Sequence, residues 1–200
     1  MTRRLLALGG IALLTLAACG STSSSGGLVD SPSASGSAGT SADWAATDCA
    51  SLNPPEKSTT APEGAPGTDG VVVGKAASGA PSVSIAADAV APTTLVSTDL
   101  TPGTGAEVAA GATVTANYCG VGLTSRTIFD SSWARGGEPI SFGLDQVIKG
   151  WTDGLPGMKV GGTRLLIIPG DLAYGANPPG GSGIGPNEAL VFVVSLTATK

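Results

Sequence analysis

The chain reads as an α+β protein, an antiparallel sheet of about five strands around one short helix, preceded by a disordered N-terminal region. Three stretches predict this. Residues 113–121, "TVTANYCGV", alternate in polarity: Val114, Ala116 and Tyr118 share one face, while Thr113, Thr115, Asn117 and Cys119 share the other. Residues 163–169, "TRLLIIP", and 189–198, "ALVFVVSLTA", are β-branched and apolar enough for central strands. Between the strands, residues 146–162, "QVIKGWTDGLPGMKVGG", form the one segment of helical size.

"MTRR" is a short positive region, and residues 5–18, "LLALGGIALLTLAA", form an apolar run too short to span a bilayer comfortably. The run ends in "LAAC", small residues before Cys19 as in the lipobox of bacterial lipoproteins. The expectation is a signal peptide over 1–18, a lipidated Cys19, and a mature protein held by its lipid on the outer face of the cytoplasmic membrane. Arg3-Arg4 also gives a weak twin-arginine signal. Residues 19–66 are rich in Gly, Ser and Pro and are expected to be a flexible tether with little regular structure. Residues 67–94 read as an N-terminal extension and 95–200 as the domain proper. Short strands or edge segments are expected at 81–85, "PSVSI", and 93–100, "TTLVSTDL".

Past the alternating strand come "TSRTIFDSS" and the shorter "EPISFGL", both read as strands. In the helical segment, Val147, Trp151, Leu155 and Met158 recur at spacings of four, four and three, one face of a helix. Gly150 and Gly154 each lower helix propensity by about 1 kcal/mol relative to Ala, and Pro156 ends or kinks the helix near Leu155. Such a helix persists only when packing holds it, and glycines would let it lie close to a sheet.

Composition removes several chemistries. A net charge of −5 with 10 basic residues lacks the footprint of a nucleic-acid binder. The chain has no histidine, so Ser-His-Asp triads, Cys-His pairs, His-ligated zinc and imidazole bases are unavailable. No metal or cofactor is expected. Setting Cys19 aside leaves Cys49 and Cys119, an even pair that favours a disulfide in an exported protein, with two separate thiols as the alternative. If Tyr118 faces inward, Cys119 faces the other way, where the segment carrying Cys49 could reach it.

Six motifs stand in one order: "YCG", "FDSS", "VIKGW", "GMKVGG", "IPGDLAYG" and "LVFVVSL". From about residue 95 to 199 the chain resembles the FKBP-type peptidyl-prolyl cis-trans isomerases, in the form of a bacterial, actinobacterial-type lipoprotein. The resemblance implies a curled sheet wrapped around one helix, with a shallow apolar hollow between them. It places Tyr118, Phe129, Val147, Ile148, Trp151 and Phe192 in that hollow, with the Trp151 indole as the floor for a proline ring. Tyr174 and the Ile148 N–H are expected to hydrogen-bond substrate carbonyls, and Asp130 to orient Tyr118 or Arg135. Ile140 and Ile184 would complete the binding surface, the first where the family has a second aromatic, which leaves that wall thinner. Arg135 falls near a family arginine, but one extra residue before "EPI" leaves its register open. Taken singly, Phe129, Val147 and Phe192 would read as ordinary core.

The implied activity needs no nucleophile. Rotation about an amide costs about 18–20 kcal/mol because resonance is lost, and a dry apolar pocket disfavours the charge-separated planar form. The expected partners are proline-containing segments of exported proteins and macrolide inhibitors. The membrane is met through the lipid alone, and the protein is expected to be a monomer. A binding module or chaperone that grips such segments without turnover is the alternative, favoured by the thinner wall at Ile140.

Overall fold

The computed structural model describes residues 43–66 and 70–200. The expected signal peptide, the Cys19 acceptor and the tether up to residue 42 lie outside the described residues.

The described residues form two antiparallel sheets. The larger has six strands: β6 (Val96–Thr101), β7 (Thr113–Gly122), β8 (Ile128–Ser131), β9 (Ile140–Gly143), β10 (Thr163–Ile168) and β11 (Leu190–Thr199), in the order β6-β10-β11-β7-β8, with β9 on the first half of β7. The short helix α1 (Lys149–Gly154) packs on one face. This matches the expected α+β layout with one strand more than the sequence suggested.

The second sheet is the departure. β1 (Trp44–Asp48), β2 (Glu56–Ser58), β3 (Ala65–Pro66), β4 (Val71–Lys75) and β5 (Pro81–Ala86) form a five-stranded sheet ordered β2-β1-β5-β4-β3. Residues 44–66, expected to be tether, therefore supply three strands. Alternate residues of β1 are buried, but they are Ala45 and Thr47, too small and too polar to mark a strand in the sequence.

The second sheet explains the near-continuous apolar runs of the first. Leu166, Ile168, Leu190, Phe192 and Val194 point to the core beneath α1. Their neighbours Leu165, Ile167, Val191 and Val193 point to a second core shared with Val71, Val73, Val83 and Ile85. A strand covered on both faces loses its alternation. β7 divides in the same way, with Tyr118 in the first core and Cys119 in the second. Cys119 is bridged to Cys49 across a Cα–Cα distance of 5.8 Å.

The helix is shorter than its apolar face suggested. Val147 lies ahead of it, Ile148 is the extended residue at its start, and Met158 follows its end. Six residues cannot sustain a helix alone, and the sheet supplies the hold. Arg164 of β10, 8% exposed, donates from Nη1 to the Gly154 carbonyl at 2.8 Å and from Nε to Asp99 at 2.7 Å. Ser97 Oγ reaches the same carbonyl at 3.2 Å. A cation on the last carbonyls complements the helix terminus. The glycines give clearance: a β-carbon at Gly150 would collide with Ile168, and one at Gly154 would lie 2.9 Å from Leu166 Cδ2.

Candidate functional site

Between α1 and the concave face of the larger sheet lies a hollow of about 410 Å³. Trp151, in the first turns of α1, is 4% exposed and sits at its base. Three rings surround the indole edge-to-face: Phe192 at 5.3 Å, Phe142 at 5.4 Å and Tyr118 at 5.6 Å between centroids. Such T-shaped packing suits the ring quadrupoles and holds each ring at a fixed angle. Phe129 extends the wall, 5.5 Å from Phe192. The indole Nε1 is buried and has no hydrogen-bond partner among the described residues.

Phe129 and Asp130 are adjacent yet both line the hollow, which a regular strand forbids because neighbours face opposite ways. The register explains it. Gly120 pairs with Asp130 and Val121 with Ile128, so Phe129 is the extra residue of a bulge. Gly120 is required opposite it, because a β-carbon there would strike the Phe129 ring and approach Phe192.

The polar rim is one connected cluster. The Tyr118 hydroxyl donates to Asp130 Oδ2, Arg135 pairs with Asp130 Oδ1, and Arg135 Nη2 donates to the Tyr118 oxygen at 2.8 Å. The open register of Arg135 is thereby fixed: the short 3-10 turn Trp133–Arg135 brings it back over the Tyr118 ring, 5.7 Å from the centroid. Asp130 orients both Tyr118 and Arg135. Burial first, then the hydrogen bond to Asp130, raises the Tyr118 phenol above its ordinary value. Tyr174 is raised by burial and then by the nearby Asp130 charge. Both phenols stay protonated at neutral pH and keep a proton to donate.

Of the residues expected in the site, Tyr118, Phe129, Asp130, Val147, Ile148, Trp151, Tyr174 and Phe192 line the hollow. Ile148 accepts the Trp151 amide at 2.9 Å, and its own N–H donates to no described residue. Arg135 stands behind Tyr118 and Asp130, while Ile140 and Ile184 pack against the surrounding core without lining the hollow. The wall near Ile140 is not thin, because Phe142 fills it. Phe142 was legible as the residue two beyond Ile140 on β9, hence on the same face. Gln146 also lines the hollow, and nothing in the sequence marked it.

A rim loop, residues 175–188, is held at its base by Glu188. This carboxylate, 9% exposed, accepts the Ser125 N–H at 2.7 Å and the Gly185 N–H at 2.7 Å. Burial works against its charge, but the hydrogen bonds together outweigh it and lower its pKa.

Comparison with known proteins comes to the same region. The family model for the FKBP-type peptidyl-prolyl cis-trans isomerase matches residues 105–197. The FK506-binding protein of Streptomyces anulatus is 48% identical over 109 residues, covering 54% of this chain and 87% of the relative. A probable FK506-binding protein of Corynebacterium glutamicum is 46% identical over 107 residues, covering 53% and 87%. The FKBP-type peptidyl-prolyl cis-trans isomerase FkpA of Escherichia coli is 50% identical over 88 residues, covering 44% of this chain and 31% of that protein.

Proposed function

Since this chain belongs to the FKBP-type peptidyl-prolyl cis-trans isomerase family, we propose how its hollow turns an Xaa-Pro bond, on which polypeptides, and where. The activity is that of a peptidyl-prolyl cis-trans isomerase. The observation that carries the mechanism is the aromatic hollow floored by Trp151, with two neutral phenols at its rim.

A proline ring resting on the indole and flanked by Tyr118, Phe142 and Phe192 displaces water from its amide. The planar amide is the more charge-separated form, so a dry surround disfavours it relative to the twisted one. The Tyr174 hydroxyl and the Ile148 N–H hold substrate carbonyls on either side of the turning bond. Asp130 fixes Tyr118 and Arg135 and takes no proton. Each 1.36 kcal/mol of preference for the twisted amide gives about tenfold in rate. The same hollow is the site for macrolide ligands.

The substrates are proline-containing segments of exported proteins, met by a monomer held outside the cytoplasmic membrane through lipid on Cys19. This reading is supported by the "LAAC" motif and by the Cys49–Cys119 bridge, a bond that persists in oxidising compartments. Mass spectrometry of the mature protein is expected to find Cys19 acylated; an unmodified Cys19 would remove the anchor.

A prolyl isomerisation assay tests the mechanism. Wild type is expected to accelerate the reaction, Asp130→Val to lose most of the acceleration, and Tyr174→Phe to lose about two- to tenfold, the worth of one hydrogen bond. A wild-type protein that binds proline peptides without accelerating them would reduce the hollow to a binding site.

A further inference from the structure

Asp130, the carboxylate shared by Tyr118 and Arg135, sits on β8, a four-residue strand at the sheet edge with a bulge in its register. Few ladder bonds hold such a strand, so its position depends on what grips its other side chains. The residue after Asp130 is Ser131, which is 1% exposed and donates from Oγ to the Cys49 carbonyl at 2.6 Å. Cys49 is itself fixed at three atoms. Its N–H donates to the Pro81 carbonyl at 3.0 Å, its carbonyl accepts Ser131, and its sulfur is bonded to Cys119. Cys119 and Ser131 are cross-strand partners on one rung of the β7–β8 ladder. Tyr118 precedes the first and Asp130 the second. One fully buried residue of the N-terminal sheet region therefore grips both immediate neighbours of the two rim residues. Cys49 also lies outside residues 105–197, where the family model matches.

We propose that Ser131 is a positioning residue for isomerisation, and that with the Cys49–Cys119 bridge it couples the N-terminal sheet to the Tyr118–Asp130–Arg135 cluster. This rests on the reading that the cluster frames the site. The first five strands then belong to the catalytic apparatus rather than to a spacer.

The chain has two tyrosines, so in a Tyr174→Phe background the ultraviolet phenolate signal reports Tyr118 alone. Two full-chain variants test the coupling: Ser131→Ala, and Cys49→Ala with Cys119→Ala. Isomerisation kinetics are measured in the otherwise wild-type chain, well below each melting temperature, and Tyr118 titration in the Tyr174→Phe background. Both variants are expected to lower kcat/KM roughly three- to tenfold, mainly through kcat, because a slightly displaced rim misaligns a bound substrate. The Tyr118 midpoint, held up first by burial and then by Asp130, is expected to fall as the bond to Asp130 loosens, while burial keeps it above the ordinary value. A folded Ser131→Ala protein with wild-type kcat, KM and Tyr118 midpoint overturns the proposal, even if its melting temperature drops, because the contact would then serve stability alone. Should the cysteine pair variant not fold, Ser131→Ala decides. A wild-type chain without turnover would refute the isomerase mechanism instead, and the Tyr118 midpoint would still decide the coupling.

Discussion

The two faces of the larger sheet are built from the same strands and do opposite things. Towards α1 the strands present Tyr118 and Phe192, which meet Trp151, Phe142 and Phe129 edge-to-face around an open hollow. Towards the N-terminal sheet they present Val121, Leu165, Ile167, Val191 and Val193, which interlock with Val71, Val83 and Ile85. Branched aliphatic side chains adapt to one another and fill space. Flat rings held at right angles leave a gap that no neighbour collapses into. The choice of ring or branch at alternate positions thus decides which face binds and which seals.

Paired truncations give the largest break in this comparison. Leu165 and Phe192 are both buried, on opposite faces of neighbouring strands. Leu165→Ala and Phe192→Ala are each expected to cost about 3–4 kcal/mol in chemical denaturation. Phe192→Ala alone is expected to cut kcat/KM more than about tenfold in the remaining folded protein. Equal losses of activity from both would show that the faces are not functionally separate. A smaller effect comes from Phe142, which touches both Tyr118 and Trp151. Phe142→Ala is expected to weaken substrate and macrolide binding by about tenfold, 1.4 kcal/mol, with a smaller drop in melting temperature than Phe192→Ala, because Phe142 is only half-buried. The smallest concerns the rim loop. Glu188 has a folded pKa below its ordinary 4.5, so the stability it contributes is present above that value and lost as pH falls through the lower folded one. Melting curves between pH 3 and 6 should show this loss, and Glu188→Gln should flatten that part of the acid dependence.

Much of the binding face was readable from the residues, and much less of the sealing face. Alternation placed Tyr118 and Cys119 on opposite sides of β7, whereas Phe129, Trp151, Tyr174 and Phe192 were expected together only through the family resemblance of their motifs. Large apolar residues at regular spacing leave a strong signal. The N-terminal sheet left a weak one, because β1 buries Ala45 and Thr47 and relies on a bridge that only geometry can place. Phe142 belongs to no motif, and only the alternation of β9 puts it on the face of Ile140. The hold on α1 by Arg164 and Asp99 was invisible, since the two are 65 residues apart and neither belongs to a motif. Bulges are equally silent: nothing in "IFDSS" announces that both Phe129 and Asp130 turn to one side.

The place of β11 has a consequence in time. It is the last strand in sequence order, yet it lies in the middle of its sheet, paired to β10 on one side and β7 on the other. While the polypeptide is being synthesised, β7 and β10 have no neighbour to join them, and neither core can close. The hollow and the inter-sheet core both wait on residues 190–199. The isomerase site is therefore complete only once residues 190–199 have joined β7 to β10.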